Sequence, residues 1–104
     1  MKKSIYMTSA NEFVAKVQAV LSKCRQEMAS IGPSSNEPYI RRDLDLAIES
    51  LEGIAFELST GVTRPKHLRP GMFTRHAIDE GSRMGMRKEL ADEIITIENI
   101  YKRM

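Results

Sequence analysis

The sequence predicts an all-α fold: a small antiparallel bundle of three main helices with a long basic loop at 61–73. Two observations carry this. Apolar residues recur at alternating steps of three and four in three separate stretches, the spacing that draws one stripe down a helix. The stretches are divided by Gly- and Pro-containing segments that stop helices rather than by alternating strand-like runs. At 104 residues the chain is one domain, long enough to bury a thin core.

The central stretch is Ile40 to Leu58. Ile40, Leu44, Ala47, Leu51, Ile54 and Leu58 form its main stripe, and Ile48, Ala55 and Val62 widen it to the breadth of a core-facing helix. Leu46 and Phe56 lie round the other side with Gly53 between them. A helix of this kind, expected over about 38–60 and capped by Gly61, sits between two neighbours. Pro38 suits its first turn. Arg41 and Arg42 near its start oppose the helix dipole, which Asp45 offsets.

The first helix is expected over about 9–31. Residues 1–7 read as a short leader, and Ser9-Ala10-Asn11-Glu12 has the form of a capping box. Phe13, Val17, Val20, Cys24, Met28 and Ile31 then make the stripe, flanked by Ala10, Val14 and Leu21. Gly32-Pro33 ends it, with Gly32 expected in the left-handed cap conformation. Residues 32–38, GPSSNEP, have the length of a connector between antiparallel helices.

The third helical region is expected over about 74–103, with Thr74 as its cap and a kink near 81–85. Gly81 and Gly85 mark either that kink or a close approach of another backbone. From Leu90 the pattern is clean: Leu90, Ile94, Ile97, Tyr101 and Met104 share one face, with Ile95 and Ile100 off it. The three stripes should meet, burying Val17, Val20, Leu44, Leu51, Ile54, Leu90, Ile94 and Ile97. Leu46, Phe56, Ile95 and Ile100 are then a second apolar surface, which points to a homodimer or a tightly held partner.

Charge is organised by segment. The net charge of +2 is too mild to argue for nucleic acid by itself. Residues 1–31 carry +3, residues 32–60 carry −4, residues 61–88 carry +5 and residues 89–104 carry −2. Helices of alternating sign complement each other. The stretch 61–76, GVTRPKHLRPGMFTRH, contains no acid and is broken by Pro65 and Pro70. Long loops of this kind carry function more often than short ones. Arg64, Lys66, His67, Arg69 and Arg75, with Arg83, Arg87 and Lys88 behind them, are therefore the candidate partner-binding residues, fitted to an acidic protein surface or to phosphates.

Catalytic motifs are sparse. His67 and His76 stand nine apart across a loop, which is neither a helical nor a finger-type metal spacing. There is no G-x-S-x-G, phosphate loop or dinucleotide fingerprint. Trp is absent and there are three Phe and three Tyr, so base stacking on aromatic rings is poorly supplied. Cys24 is the lone cysteine, so neither an intramolecular disulfide nor a cysteine metal cluster is expected. It lies on an apolar stripe, as a buried small hydrophobe would. No secretory signal or stretch of transmembrane length is read, and a cytoplasmic chain is expected.

Glu49-x-x-Glu52 and Glu89-x-x-Asp92 each place two acids one helical turn apart. On facing helices two such pairs would hold a divalent cation with oxygen ligands. In this the two tetrapeptides resemble the all-α nucleotide pyrophosphohydrolases, which implies a magnesium site at Glu49, Glu52, Glu89 and Asp92. The family's leading Glu is Ile48 here, and the separation between the pairs is longer than the family shows.

The function expected first is a non-enzymatic interaction protein, a regulator, inhibitor or adaptor of the kind encoded in bacteria, phages or mobile elements. It would need no cofactor and would bind a protein partner, a second copy of itself, or both. The alternatives are an accessory nucleic-acid binder using phosphate contacts from the 61–88 segment, and the magnesium-dependent hydrolase. A protein binder should show an apolar patch beside the basic loop; a nucleic-acid binder, a continuous basic stripe; a hydrolase, four acids around one cavity. No membrane association is expected.

Overall fold

A computed structural model of the chain describes residues 2–32, 37–61, 65 and 71–104, with side chains described for these residues apart from 2–10 and 37. All the secondary structure in the described residues is helical: α1 (Lys2–Ser30), α2 (Glu37–Thr60), α3 (Met72–Glu80), a 3₁₀ turn (Gly81–Arg83) and α4 (Lys88–Arg103). No helix among the described residues is long and apolar enough to cross a membrane.

α1 and α2 pack antiparallel. Arg25 of α1 meets Glu52 of α2, whereas Met28, further along α1, meets Arg41, earlier on α2. α4 also runs against α1, since Glu27 and Lys23 meet Arg87 and Glu93 in turn. It is parallel to α2, where Ser50 and Glu57 meet Glu98 and Tyr101. α3 is the short element that carries the chain across between α2 and α4. The core is the meeting of the three long stripes. All eight expected core residues, Val17, Val20, Leu44, Leu51, Ile54, Leu90, Ile94 and Ile97, are buried, together with Phe13, Cys24, Phe73 and Tyr101. Burial pushes the Cys24 thiol up to about 11, with Glu27 and Glu93 adding to the effect, so Cys24 behaves as the small hydrophobe its place on the stripe implies.

Four local expectations change. Helix α1 starts at Lys2 rather than near Ser9, so the capping-box residues fall inside it. Residues 2–8 contain neither Gly nor Pro, and nothing local stops helical backbone there. Gly32 is not in the left-handed region; the positive-φ glycines among the described residues are Gly61 (φ 75°) and Gly81 (φ 56°). Gly61 caps α2 as expected, its amide donating to Glu57 O at 3.0 Å. The region expected as one kinked helix is two, broken at 81–87, and Thr74 sits in the first turn of α3 rather than before it. Each of the two glycines at the break has its own role. Gly81 takes the positive φ that ends α3. Gly85 lies so close to the first turn of α2 that a Cβ there would stand 2.7 Å from Ile40 N and 2.9 Å from Tyr39 C.

Candidate functional site

Burying a carboxylate costs several kcal/mol unless hydrogen bonds replace its water. This interior nevertheless holds Asp43, Glu57 and Glu98, with Ser50 beside them. Every buried side-chain nitrogen and oxygen among the described residues has a partner. Glu98 of α4 accepts from Ser50 Oγ at 2.5 Å, Phe73 N at 3.1 Å, Thr74 N at 2.8 Å and Thr74 Oγ1 at 2.6 Å. Phe73 and Thr74 are the second and third residues of α3, whose amides an N-cap side chain ordinarily satisfies. Gly71, in the cap position, has no side chain to do so. Glu98 therefore caps α3 from another helix, and its negative charge sits at the positive end of the α3 dipole.

Asp43 of α2 does the same beyond the other end of α3. Its Oδ2 accepts from Gly85 N at 2.5 Å and Met86 N at 3.1 Å, and its Oδ1 lies 2.6 Å from His76 Nε2. Arg42 joins this cluster, reaching Asp43 Oδ1 at 3.2 Å, Glu80 Oε1 at 3.2 Å and Arg83 O at 3.3 Å. Burial pushes the Asp43 carboxyl up, but the bonds from His76, the Gly85 amide, Arg42 and the Met86 amide outweigh it and hold the group below the usual carboxylate range. A histidine oriented by a buried carboxylate is half of a nucleophile-activating pair. The other half is absent among the described residues, since no hydroxyl or thiol lies in hydrogen-bond reach of His76. The third carboxylate, Glu57, accepts the Tyr101 hydroxyl.

Held in this way, α3 forms one wall of an open cleft of about 620 Å³ against the end of α4, lined by Gly71, Met72, Thr74, Arg75, Ile78, Asp79 and Lys102. Ile78 is 75% exposed, the most exposed of the large hydrophobic side chains described. Arg75 is exposed on the same short helix and forms no ion pair among the described residues. Lys102 lies across Gly71, the residue at which the basic stretch enters α3.

The residues singled out in the sequence are dispersed. Arg64, Lys66, His67 and Arg69 lie outside the described residues. Arg75 lines the cleft. Arg83, Arg87 and Lys88 each meet an acid of the same chain: Glu80 at 3.7 Å, Glu27 at 2.6 Å and Asp92 at 2.9 Å. The carboxylate quartet is not brought together. Glu52 is taken by Arg25 at 2.5 Å and Asp92 by Lys88, while Glu49 and Glu89 face solvent. Among the described residues no three His, Cys, Asp or Glu side chains are placed to hold a metal ion. The magnesium-site reading thus loses its geometric premise. Of the second apolar surface, Leu46 and Ile95 pack partly buried against the chain's own core, and Phe56 and Ile100 remain exposed. The buried carboxylates and Ile78 are what sequence reasoning missed.

Comparison with protein families, with curated proteins and with solved structures finds no match to this chain.

Proposed function

We propose that this chain is a helical interaction protein, a regulator, inhibitor or adaptor, that holds an acidic protein surface in the cleft between α3 and α4. One observation supports the reading above the others. Exposed Ile78 and the neighbouring Met72 stand beside Arg75, which has no ion-pair partner among the described residues, at the point where the acid-free stretch 61–76 joins the bundle. An apolar centre with a charged rim, here Arg75 and Lys102 outnumbering the single acid Asp79, is the arrangement that protein interfaces use, and arginine is one of their anchor residues. A phosphate-binding surface would need a continuous run of uncommitted cations, whereas Arg83, Arg87 and Lys88 are already engaged by Glu80, Glu27 and Asp92. The reading goes with a cytoplasmic chain, where a single buried thiol needs no partner.

The test is capture of partners from nuclease-treated native extract with the wild type, followed by direct titration of the captured protein. Arg75→Ser with Ile78→Ser should weaken binding at least about tenfold while leaving the melting curve in place, because both side chains are exposed. Glu49→Gln, at an exposed position of α2 that does not line the cleft, should change nothing. Salt should lower the association rate rather than speed dissociation. A double variant that keeps the wild-type affinity, or an affinity that falls linearly and steeply on a log–log salt plot with nucleic acid as the captured species, refutes the reading.

A further inference from the structure

The cleft is made by an element that is weakly held by apolar packing. α3 has nine residues, too few for a helix to persist in water unaided. Its one buried side chain is Phe73, and the 3₁₀ turn after it buries none. What fixes it is polar: Phe73 N, Thr74 N and Thr74 Oγ1 on Glu98 at its start, and His76, Gly85 N and Met86 N on Asp43 toward its end. Both carboxylates belong to α2 and α4, whose stripes join α1 to bury Val17, Val20, Leu44, Leu51, Ile54, Ile94 and Ile97 in a core to which the whole of 72–87 adds only Phe73 and Met86, with Met84 partly buried against it.

We propose that residues 72–87 undock and redock as one unit, leaving the α1–α2–α4 core folded, and that the α3–α4 cleft exists only in the docked state. This rests on the cleft reading for its consequence and not for its mechanism. The two clasps bracket one covalent segment, so releasing either end removes the support of the other. In the undocked state both carboxylates are open to water, which replaces the hydrogen bonds they lose, so opening costs far less than burying them unpaired would. Partial opening of this kind, in contiguous units below the free energy of global unfolding, is what elements with few buried apolar contacts show. A partner seated on Arg75, Ile78 and Lys102 binds the docked state alone and shifts the population toward it. Asp43 and Glu98 are thus positioning residues for a site that neither touches.

Hydrogen exchange on the intact wild-type chain tests this without any partner, so its outcome is separate from that of the binding experiment. Amides of 72–87 should share one opening, at least about tenfold more frequent than that of amides in 17–28, 44–57 and 90–101. Glu98→Gln and Asp43→Asn should each raise exchange across the whole of 72–87, including the end far from the substitution, by about tenfold, the change expected when charge-assisted bonds become neutral ones. The three-helix core should keep its slow amides. If wild-type residues 72–87 exchange only as slowly as the core, or if each substitution loosens only its own end, the unit does not exist.

Discussion

Replacing Gly85 by Ala adds one methyl group where another backbone comes closer than at any other described glycine, and its effect can be worked from distances. The new Cβ would stand 2.7 Å from Ile40 N and 2.9 Å from Tyr39 C, and both are main-chain atoms of α2 that cannot rotate away. To restore an ordinary separation of about 3.4 Å, the 84–87 segment must withdraw by roughly 0.7 Å. The same withdrawal stretches the Gly85 and Met86 amide bonds to Asp43, now 2.5 and 3.1 Å, and carries the second out of hydrogen-bond range. Overpacking of this kind costs about 1–3 kcal/mol, and weakening a bond to a buried charge adds about 1 kcal/mol or more. The expected loss is therefore about 2–4 kcal/mol. No backbone strain enters, because Gly85 does not have a positive φ. Gly53→Ala is the internal control: it lies inside α2, and a methyl group added there meets nothing within 4 Å, so it should gain about 0.5–1 kcal/mol from helix propensity. Urea titrations of the three proteins give both signs in one experiment. A Gly85→Ala loss under about 0.5 kcal/mol, well short of the overpacking range, would refute the claim that α2 and the 84–87 segment are in contact at this point.

Two further outcomes follow from burial. Leu51→Ala, at the centre of the three-helix core and fully buried, should cost about 2–5 kcal/mol in a denaturant melt, and a loss below about 1 kcal/mol would place Leu51 outside the core. Because Asp43 titrates below its ordinary value when folded, its stabilisation is complete above the unfolded value of about 3.9 and fades as pH falls through the folded value. The stability gap between wild type and Asp43→Asn should then narrow as pH falls below about 4, and a gap unchanged from about pH 4 to about pH 3 contradicts the assignment.

The parts of the fold that were legible are those set by local periodicity. The stripes at Phe13–Cys24, Leu44–Ile54 and Leu90–Tyr101 identify the buried face of each long helix, because an apolar side chain needs only to be somewhere out of water. The break near 81–85 was legible for the same local reason, two glycines in a weak helical pattern. α3 was not, because its start is satisfied by Glu98, 24 and 25 residues further on, where cap rules look one to three residues away. Thr74 was the right residue to suspect: its hydroxyl serves the start of α3, but by donating to the carboxylate that caps the helix rather than by capping it directly. The carboxylate pairs misled because i, i+3 spacing fixes only that two acids share a helix face. Whether two such faces converge depends on how the helices are rotated, and here Arg25 and Lys88 neutralise one acid of each pair where it stands.

Polar residues carry a periodicity of their own in this chain. Asp43, Ser50 and Glu57 stand seven apart along α2, and all three are buried. Residues seven apart fall nearly over one another on a helix, so these make a polar seam along the edge of an apolar stripe. A stripe alone says that helices meet, and a slip of one turn costs it little, because one apolar contact replaces another. A seam of buried polar groups does not tolerate the slip. Asp43 requires the amides of Gly85 and Met86, Ser50 requires Glu98, and Glu57 requires the Tyr101 hydroxyl. Shifting α4 by one turn against α2 would leave buried donors and acceptors unpaired at about 1–3 kcal/mol each, and more for the carboxylates. We therefore read the stripe as the source of association and the seam as the source of register, the role best attested for polar groups buried between helices. Because the seam also supplies the clasp on the 84–87 segment, the same residues that align α4 with α2 determine where α3 rests and where the cleft opens.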